Sequence, residues 1–431
     1  MDAPVRHHAA TKNIRYQRKE TPKVAIIGID FGTSYTKAFC SVSDYGKFAV
    51  KFDNPAGFFL PSVLYYCAIN NTLSFKSYGF LDKIEYFKYG LLNQNFPTLE
   101  KVSEKNPNIK NSLSLICSVF YLAKVIVYIK SHISKECRTD NIEYHINMGC
   151  PIENFGNDKK GIYDKALNIG ALLSREPLLD SFSISKIDDF ITENENVRDS
   201  SLETIPELYA EALWFIEQPF TGDGVYTILD VGGGTTDCAT ITIKWENGQK
   251  VTRIYSQSVL PLGVEVLLKE LYPDKYRTKR EECVKELREM EVVVPVYGKD
   301  LPPLEKKEHL KAVEFQKGFF GGVMEAKNKD KKLMSELVAR GAKILYYTFG
   351  GGSDVNFFHS IIKGRDLKGT NIPPLVRENV KTDLPSDRLI IAEQLARPYF
   401  PEIMGFPWDF VNEVKEKEDS FEFADYGILD T

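Results

Sequence analysis

Two short turns, Asp30-Phe31-Gly32-Thr33-Ser34 and Asp230-Val231-Gly232-Gly233-Gly234-Thr235-Thr236-Asp237, constrain this chain more tightly than anything else in it. Each lies between β-prone stretches. Val24 to Ile29 is almost wholly apolar, and Tyr35 to Val42 resumes with Val, Phe, Tyr and small residues. Val225 to Leu229 leads into the second turn, and Thr and Ile alternate from Cys238 to Lys244. Both segments read as strand, tight turn, strand. Both run in one order (apolar strand, Asp, one apolar residue, Gly, small residues) at positions 30 and 230, 200 apart. An internal duplication leaves such a pair behind, with each half contributing one hairpin to a shared cleft.

The residue types suit phosphate. Glycine lets the backbone turn sharply and approach a ligand, and successive N–H groups in such a turn form a nest for an anion. Thr and Ser hydroxyls add donors, whereas an Asp at a strand end would repel phosphate and so suits Mg2+ or its waters. A Walker loop is missing, and the dinucleotide fingerprint needs a helix after its glycines where strands follow here. Ordinary hairpin chemistry accounts for the Asp30 turn taken alone. The triple glycine flanked by Asp230 and Asp237 goes beyond it.

At 431 residues the chain is too long for one ordinary domain, which points to two lobes. With 43% hydrophobic and 27% charged residues it is globular in composition. A net charge of −5 offers no broad basic surface for nucleic acid. Seven cysteines, an odd count without a CxxC pair, fit neither a disulfide framework nor a zinc site, and suit a reducing cytoplasm. The polar start lacks the apolar stretch of a signal peptide and reads as a disordered leader over 1–21. Leu113 to Ile129 is apolar, but Lys124 interrupts it and it is short for a membrane span, so it reads as a buried helix.

Elsewhere, Phe58 to Tyr66 reads as a strand with Pro61 at its start or on an edge. Periodic apolar stretches from Ile84 to Ile133 read as helices. Tyr144 to Met148 is a strand ending at Gly149-Cys150-Pro151, and Lys159 to Leu173 is a helix with Ile162, Ala166, Ile169 and Leu173 on one stripe. Leu202 to Ile216 reads as one helix with Pro206 early in it. Leu267 to Met290 is charged and helical, and Glu291 to Lys307 is looser. Ile344 to Phe349 reads as a strand, Gly350-Gly351-Gly352 as a turn, and Ser353 or Asp354 as the cap of a helix reaching Ile362. Beyond Val411 a tail of mixed charge reads as solvated.

Three of these segments resemble, in order and spacing, the motifs of the ATPase superfamily that joins sugar kinases, actins and the 70-kDa heat-shock chaperones. Ile29 to Ser34 looks like its first phosphate motif, Asp230 to Asp237 like its second, and Gly350-Gly351-Gly352-Ser353 with its strand like its adenosine motif. The resemblance covers about Val24 to Ala396 and is closest to the chaperone ATPase lobes. Pro61-Ser62-Val63, Gly149-Cys150-Pro151 and Leu262-Gly263-Val264-Glu265 are similar to chaperone segments at corresponding places.

The resemblance implies an α/β, two-lobed actin-like ATPase fold, each lobe a ribonuclease-H-like mixed sheet flanked by helices. The first lobe would span 22–220 with a peripheral subdomain at about 61–140, the second 221–400 with one at about 267–335, before a charged tail over 401–431. It implies ATP and Mg2+ as ligands: Asp30 and Asp237 about the metal, and Gly32, Thr33 and Ser34 on the phosphates. Asp230 would orient the attacking water or take its proton, with Gly232, Gly233, Gly234 and Thr235 around the γ-phosphate. Glu207 falls where the chaperones keep a water-placing carboxylate, and reads equally as an exposed helix glutamate. Glu282 and Lys285 share the adenine-pocket spacing, and also that of a surface ion pair, while Gly351, Gly352 and Ser353 would face the adenosine. Lys88 is a candidate for a lysine reaching the γ-phosphate, although its flanks favour a solvated side chain.

Val355 departs from the pattern, since an arginine usually packs on the adenine from that position. Only a few tens of residues follow Ala396, too few for a chaperone substrate domain. The expected function is therefore that of a stand-alone Mg-dependent ATPase, a nucleotide-driven switch with a protein partner or self-association. It would engage neither nucleic acid nor membrane. An actin-like filament protein and a small-molecule kinase are the alternatives.

Overall fold

Val and Ile crowd the stretch before Asp30, and β-branched side chains suit a buried pleated surface. The computed structural model describes residues 21–55, 57–77, 79, 81–91, 102–151, 160–176, 181–218, 221–246, 249–276, 278–292, 307–329, 345–353, 355–363, 368–369 and 386–398. In its N-terminal half the strands are β1 (Lys23–Phe31), β2 (Tyr35–Val42), β3 (Gly46–Ala49), β4 (Leu60–Pro61), β5 (Val63–Cys67), β6 (Thr72–Ser74), β7 (Asp82–Glu85), β8 (Ile142–Cys150), β9 (Ser181–Ser183) and β10 (Leu202–Pro206). One sheet runs β10-β8-β1-β2-β3, with β4 beside β2, and a second runs β7-β5-β6-β9.

The C-terminal half contains β11 (Gly224–Val231), β12 (Thr236–Glu246), β13 (Gln249–Leu260), β14 (Leu345–Phe349) and β15 (Lys368–Gly369), in the order β13-β12-β11-β14-β15. Its pairing repeats that of the first sheet. In each, three consecutive strands form an antiparallel meander, and two later strands add in parallel beside the first of them. The hairpins also share a register, with Asp30 opposite Lys37 in one and Asp230 opposite Asp237 in the other. The protein is thus mixed α/β, with mixed sheets flanked by helices.

Those helices are α1 (Phe87–Gly90), α2 (Leu113–Cys137), α3 (Lys160–Leu173), α4 (Ile184–Glu193), α5 (Glu207–Glu217), α6 (Val264–Leu271), α7 (Arg280–Glu289), α8 (Lys307–Lys329), α9 (Asn356–Lys363) and α10 (Ile390–Leu395). Among the described residues α2 alone is long and apolar enough to cross a membrane, yet 83% of its most apolar window is buried. Ser112 caps it by accepting a hydrogen bond from Leu115 N. Its side chains fill the core under the first sheet.

Helix α10 joins the two halves. Ile390, Ile391 and Leu395 enter the core shared by α5 and the second sheet, while Leu389, Ala392 and Ala396 pack with Phe39 and Ala49 of the first. Gly28 permits this approach, because a β-carbon there would collide with the Ala392 carbonyl. Asn147 Nδ2 donates to Leu395 O at 2.8 Å from the neighbouring strand.

Several segments differ from the expectation. Leu202 to Ile216 is not one helix: Leu202–Pro206 pairs with β8, and the helix starts at Glu207. A proline drives the preceding residue toward extended backbone, and the alternation before Pro206 completes a strand. Leu267 to Met290 is broken at Tyr272, where Pro273 cannot continue a helix. Phe58 to Tyr66 divides at Ser62 between two sheets, and Ile84 belongs to a strand rather than a helix. The leader apart from Thr21, the tail, Asp354 and most of Glu291 to Lys307 lie outside the described residues.

Candidate functional site

The second bend is gripped from behind. Backbone amides of Gly263, Val264 and Glu265 donate to the carbonyls of Gly234, Gly232 and Gly233 at 3.1, 3.0 and 2.8 Å, so the start of α6 holds the turn. Gly232 N closes it on Thr235 O at 2.9 Å. In the first bend Gly32 N donates to Asp30 O at 3.1 Å, and Ser62 Oγ donates to Gly32 O at 2.7 Å. Among the described residues, the amides of Thr33, Ser34, Gly233 and Gly234 donate to no protein acceptor.

The bends meet tip to tip. A side chain at Gly233 would collide with Ser34 Oγ, itself buried without a hydrogen-bond partner, and one at Gly234 would start 3.5 Å from the Thr33 side chain. Two segments 200 residues apart in sequence thus bring four unpaired amides to one place. Oriented backbone donors of this kind are what anion nests are made of.

Beneath the bends lies a concentration of carboxylates. Asp30 ion-pairs with Lys37 across the first hairpin. Glu207 opens α5 and is buried. A β-carbon on Gly149 would lie 2.7 Å from its Cγ, so that glycine makes room for it. Lys88 Nζ meets Glu207 Oε1 at 2.6 Å, with both residues buried. One oxygen each from Glu207, Asp230 and Asp237 lie within 4.8 Å of one another. Four positions along the helix from Glu207, Glu211 is wholly buried and neither of its carboxylate oxygens has a hydrogen-bond partner.

Burial dominates the electrostatics. It pushes the Glu211 carboxyl well above the usual range, and the charges of Asp230 and Asp237 add to that. Asp230 is pushed up to about 7 by burial and then by Glu207, against the pull of Lys37. Glu207 is also raised by burial, with Lys88 opposing. Burial would lower the Lys88 ammonium, yet Glu207 and Asp30 hold it above its ordinary value. The carboxyls of Asp30, Glu207, Glu211, Asp230 and Asp237 outnumber the ammonium groups of Lys37 and Lys88, so the site calls for protons or a cation.

The donors fit a hard divalent cation. Magnesium binds oxygen at about 2.1 Å and usually keeps several waters, so oxygens this close can share one ion directly or through its water shell. The orphaned oxygen of Asp230 and the two of Glu211 supply unused acceptors. No protein-family model matches the chain, and no curated protein matches it either.

The remaining candidates divide. Gly350, at φ +81, closes on Asp230, and a side chain there would strike the carboxylate. Gly352 N donates to Val231 O at 2.9 Å, and Ser353 N to Gly350 O at 3.3 Å, so the third turn is fastened to the second hairpin. Gly351 faces the Arg388 guanidinium. Glu282 and Lys285 stay exposed on α7, where Glu282 pairs with Lys275 and Lys279 at 3.4 and 3.1 Å rather than with Lys285. Arg280, the first residue of α7, instead pairs with the buried Glu265 of α6. Val355 is buried in the core.

Two expectations need correction and several residues were missed. Glu207 is not an exposed helix glutamate, because the helix begins with it and turns it under Gly149. Lys88 is not solvated: Tyr86 precedes α1 in the left-handed region at φ 63, and the chain turns Lys88 inward beside buried Phe87. Lys37, Glu211, Glu265 and Arg388 were not expected at the site. For Glu211 a signal existed, since it is four residues after Glu207 and shares its helix face.

Proposed function

We propose that the chain belongs to the superfamily of actins, sugar kinases and 70-kDa heat-shock chaperones, with one actin-like lobe around each of the two larger sheets. On this reading it binds ATP with Mg2+ between the two bends and hydrolyses it, working as a nucleotide-driven switch in the cytoplasm with a protein partner or its own copies. The observation that carries the reading is the meeting of the bends. They occupy equivalent places in two sheets whose five-strand paths share one order and direction, and they bring unpaired amides together above an excess of carboxylates. The free state of all seven cysteines supports a reducing compartment.

The amides of Thr33, Ser34, Gly233 and Gly234 cradle the phosphates, and the Ser34 hydroxyl adds a donor. Asp30, Asp237 and Glu207 hold the metal, directly or through water; when bound, it neutralises charge on the phosphate oxygens. Asp230, titrating near neutrality, accepts the proton of the attacking water. Lys88 restrains Glu207 and keeps one positive charge beside the reacting phosphate.

The test is turnover of ATP and GTP with Mg2+ by the wild type and by Asp230→Ala, with sedimentation in the presence and absence of nucleotide. Binding with turnover that Asp230→Ala abolishes supports the reading, and nucleotide-dependent pelleting moves it toward a filament. Failure of both nucleotides to bind sinks it.

A further inference from the structure

Among the described residues, Arg388 is a cation without an anion. It lies in a 3-10 turn, Ser386–Leu389, immediately before α10. Its guanidinium carbon stands 4.1 Å from the centre of the Phe59 ring and 6.0 Å from that of Tyr35. Among the described residues it makes no hydrogen bond or ion pair, and its Nε is buried without a partner. Ring faces attract the charge but leave the five N–H donors unused, and a buried donor left unpaired is costly.

Its position gives those donors a direction. Tyr35 is the residue after the first bend, and a β-carbon on Gly351 of the third turn would lie 3.4 Å from Arg388 Nη2. Arg388 therefore sits between the first phosphate-type bend and the turn fastened to the second. Among the described residues, the cation-poor carboxylate floor supplies no phosphate partner apart from Lys37 and Lys88, both already paired, and Val355 brings no charge to the third turn.

We propose that Arg388 binds the phosphate chain of a nucleoside di- or triphosphate, with its plane held by Phe59 and its N–H edge directed to the phosphate oxygens. This deepens the nucleotide reading and rests on it. Arginine suits the task because its planar fork can stack on a ring and donate in pairs to phosphate at once.

The test is calorimetric titration of ATP, ADP and adenosine, with Mg2+, into the wild type, Arg388→Gln, Arg388→Lys and Phe59→Leu. Loss of a charge-assisted contact should weaken ATP and ADP binding roughly tenfold or more in Arg388→Gln and leave adenosine within about twofold. Arg388→Lys should recover part of the loss, and Phe59→Leu, which keeps the charge but frees its plane, should show a smaller one. A wild type that binds nucleotide while Arg388→Gln binds it equally well overturns this inference alone. Equal loss of adenosine and ADP also overturns it. A wild type that binds none of the three ligands overturns both this inference and the reading beneath it.

Discussion

Tyr86 Oη donates a hydrogen bond to Glu265 Oε2 at 3.3 Å, across 179 residues of sequence, and so ties the segment that carries Lys88 to the helix start that holds the second bend. Tyr276 Oη lies 3.0 Å from Tyr86 Oη and donates to the same carboxylate oxygen at 2.7 Å, while Arg280 takes the other oxygen. Lys269 stands over the Tyr86 ring at 3.6 Å. Tyr86→Phe keeps the ring and removes the hydroxyl. It should cost about 1 kcal/mol of stability in denaturant titration and weaken nucleotide binding by a similar amount. Unchanged stability and affinity would show that the two halves are not coupled through this bond.

Lys88→Met strands Glu207 in the interior. Breaking a buried pair by removing one partner typically costs about 3–5 kcal/mol, whereas replacing both partners costs far less. Urea unfolding of metal-free protein should therefore rank Lys88→Met well below Lys88→Met/Glu207→Gln. A double variant no more stable than the single would refute the pairing.

On the proposed ATPase reading, Gly350→Ala should cut turnover at least about a hundredfold, because the added methyl displaces the Asp230 carboxylate assigned there to the attacking water. Gly46→Ala is the control. Gly46 also has positive φ, at +110, but nothing lies within 4 Å of a β-carbon there, so this variant carries the backbone strain without the displacement. Equal turnover in the two variants would exclude the proposed coupling between Gly350 and Asp230.

The pH dependence has a definite sign. Asp230 titrates near 3.8 when unfolded and near 7 when folded, so its contribution is fully present below about pH 4 and is lost as pH rises through about 7. Glu207 and Glu211, both raised, act in the same direction. Thermal midpoints in EDTA should therefore fall between about pH 4 and 7, less steeply in Asp230→Asn. Saturating Mg2+ should remove or reverse the slope, since the metal takes the deprotonated form. A slope identical in the variant and the wild type would rule Asp230 out as its source.

The hairpins were legible because two-residue alternation and glycine punctuation act locally, and β1, β2, β11 and β12 needed no tertiary information. Long-range packing settled the rest. Leu202–Pro206 becomes a strand through pairing with β8, which lies more than fifty residues earlier. Lys88 looks like any lysine until the left-handed Tyr86 turns it toward Glu207, and Arg388 lies outside every motif and gains meaning only from Phe59, Tyr35 and Gly351. Glu211 is within reach of helical spacing alone, four residues after Glu207 on the same helix face.

The two hairpins are alike in backbone and unlike in self-sufficiency. Across the first, Asp30 faces Lys37 and the ladder supplies its own counter-ion; across the second, Asp230 faces Asp237, and like charges directly opposite each other push strands apart. Chelation should therefore loosen the molecule unevenly, with the amides of β11 and β12 exchanging with deuterium sooner than those of β1 and β2. One of the two matched hairpins would then serve as a fixed jaw and its counterpart as the part that senses what has been loaded.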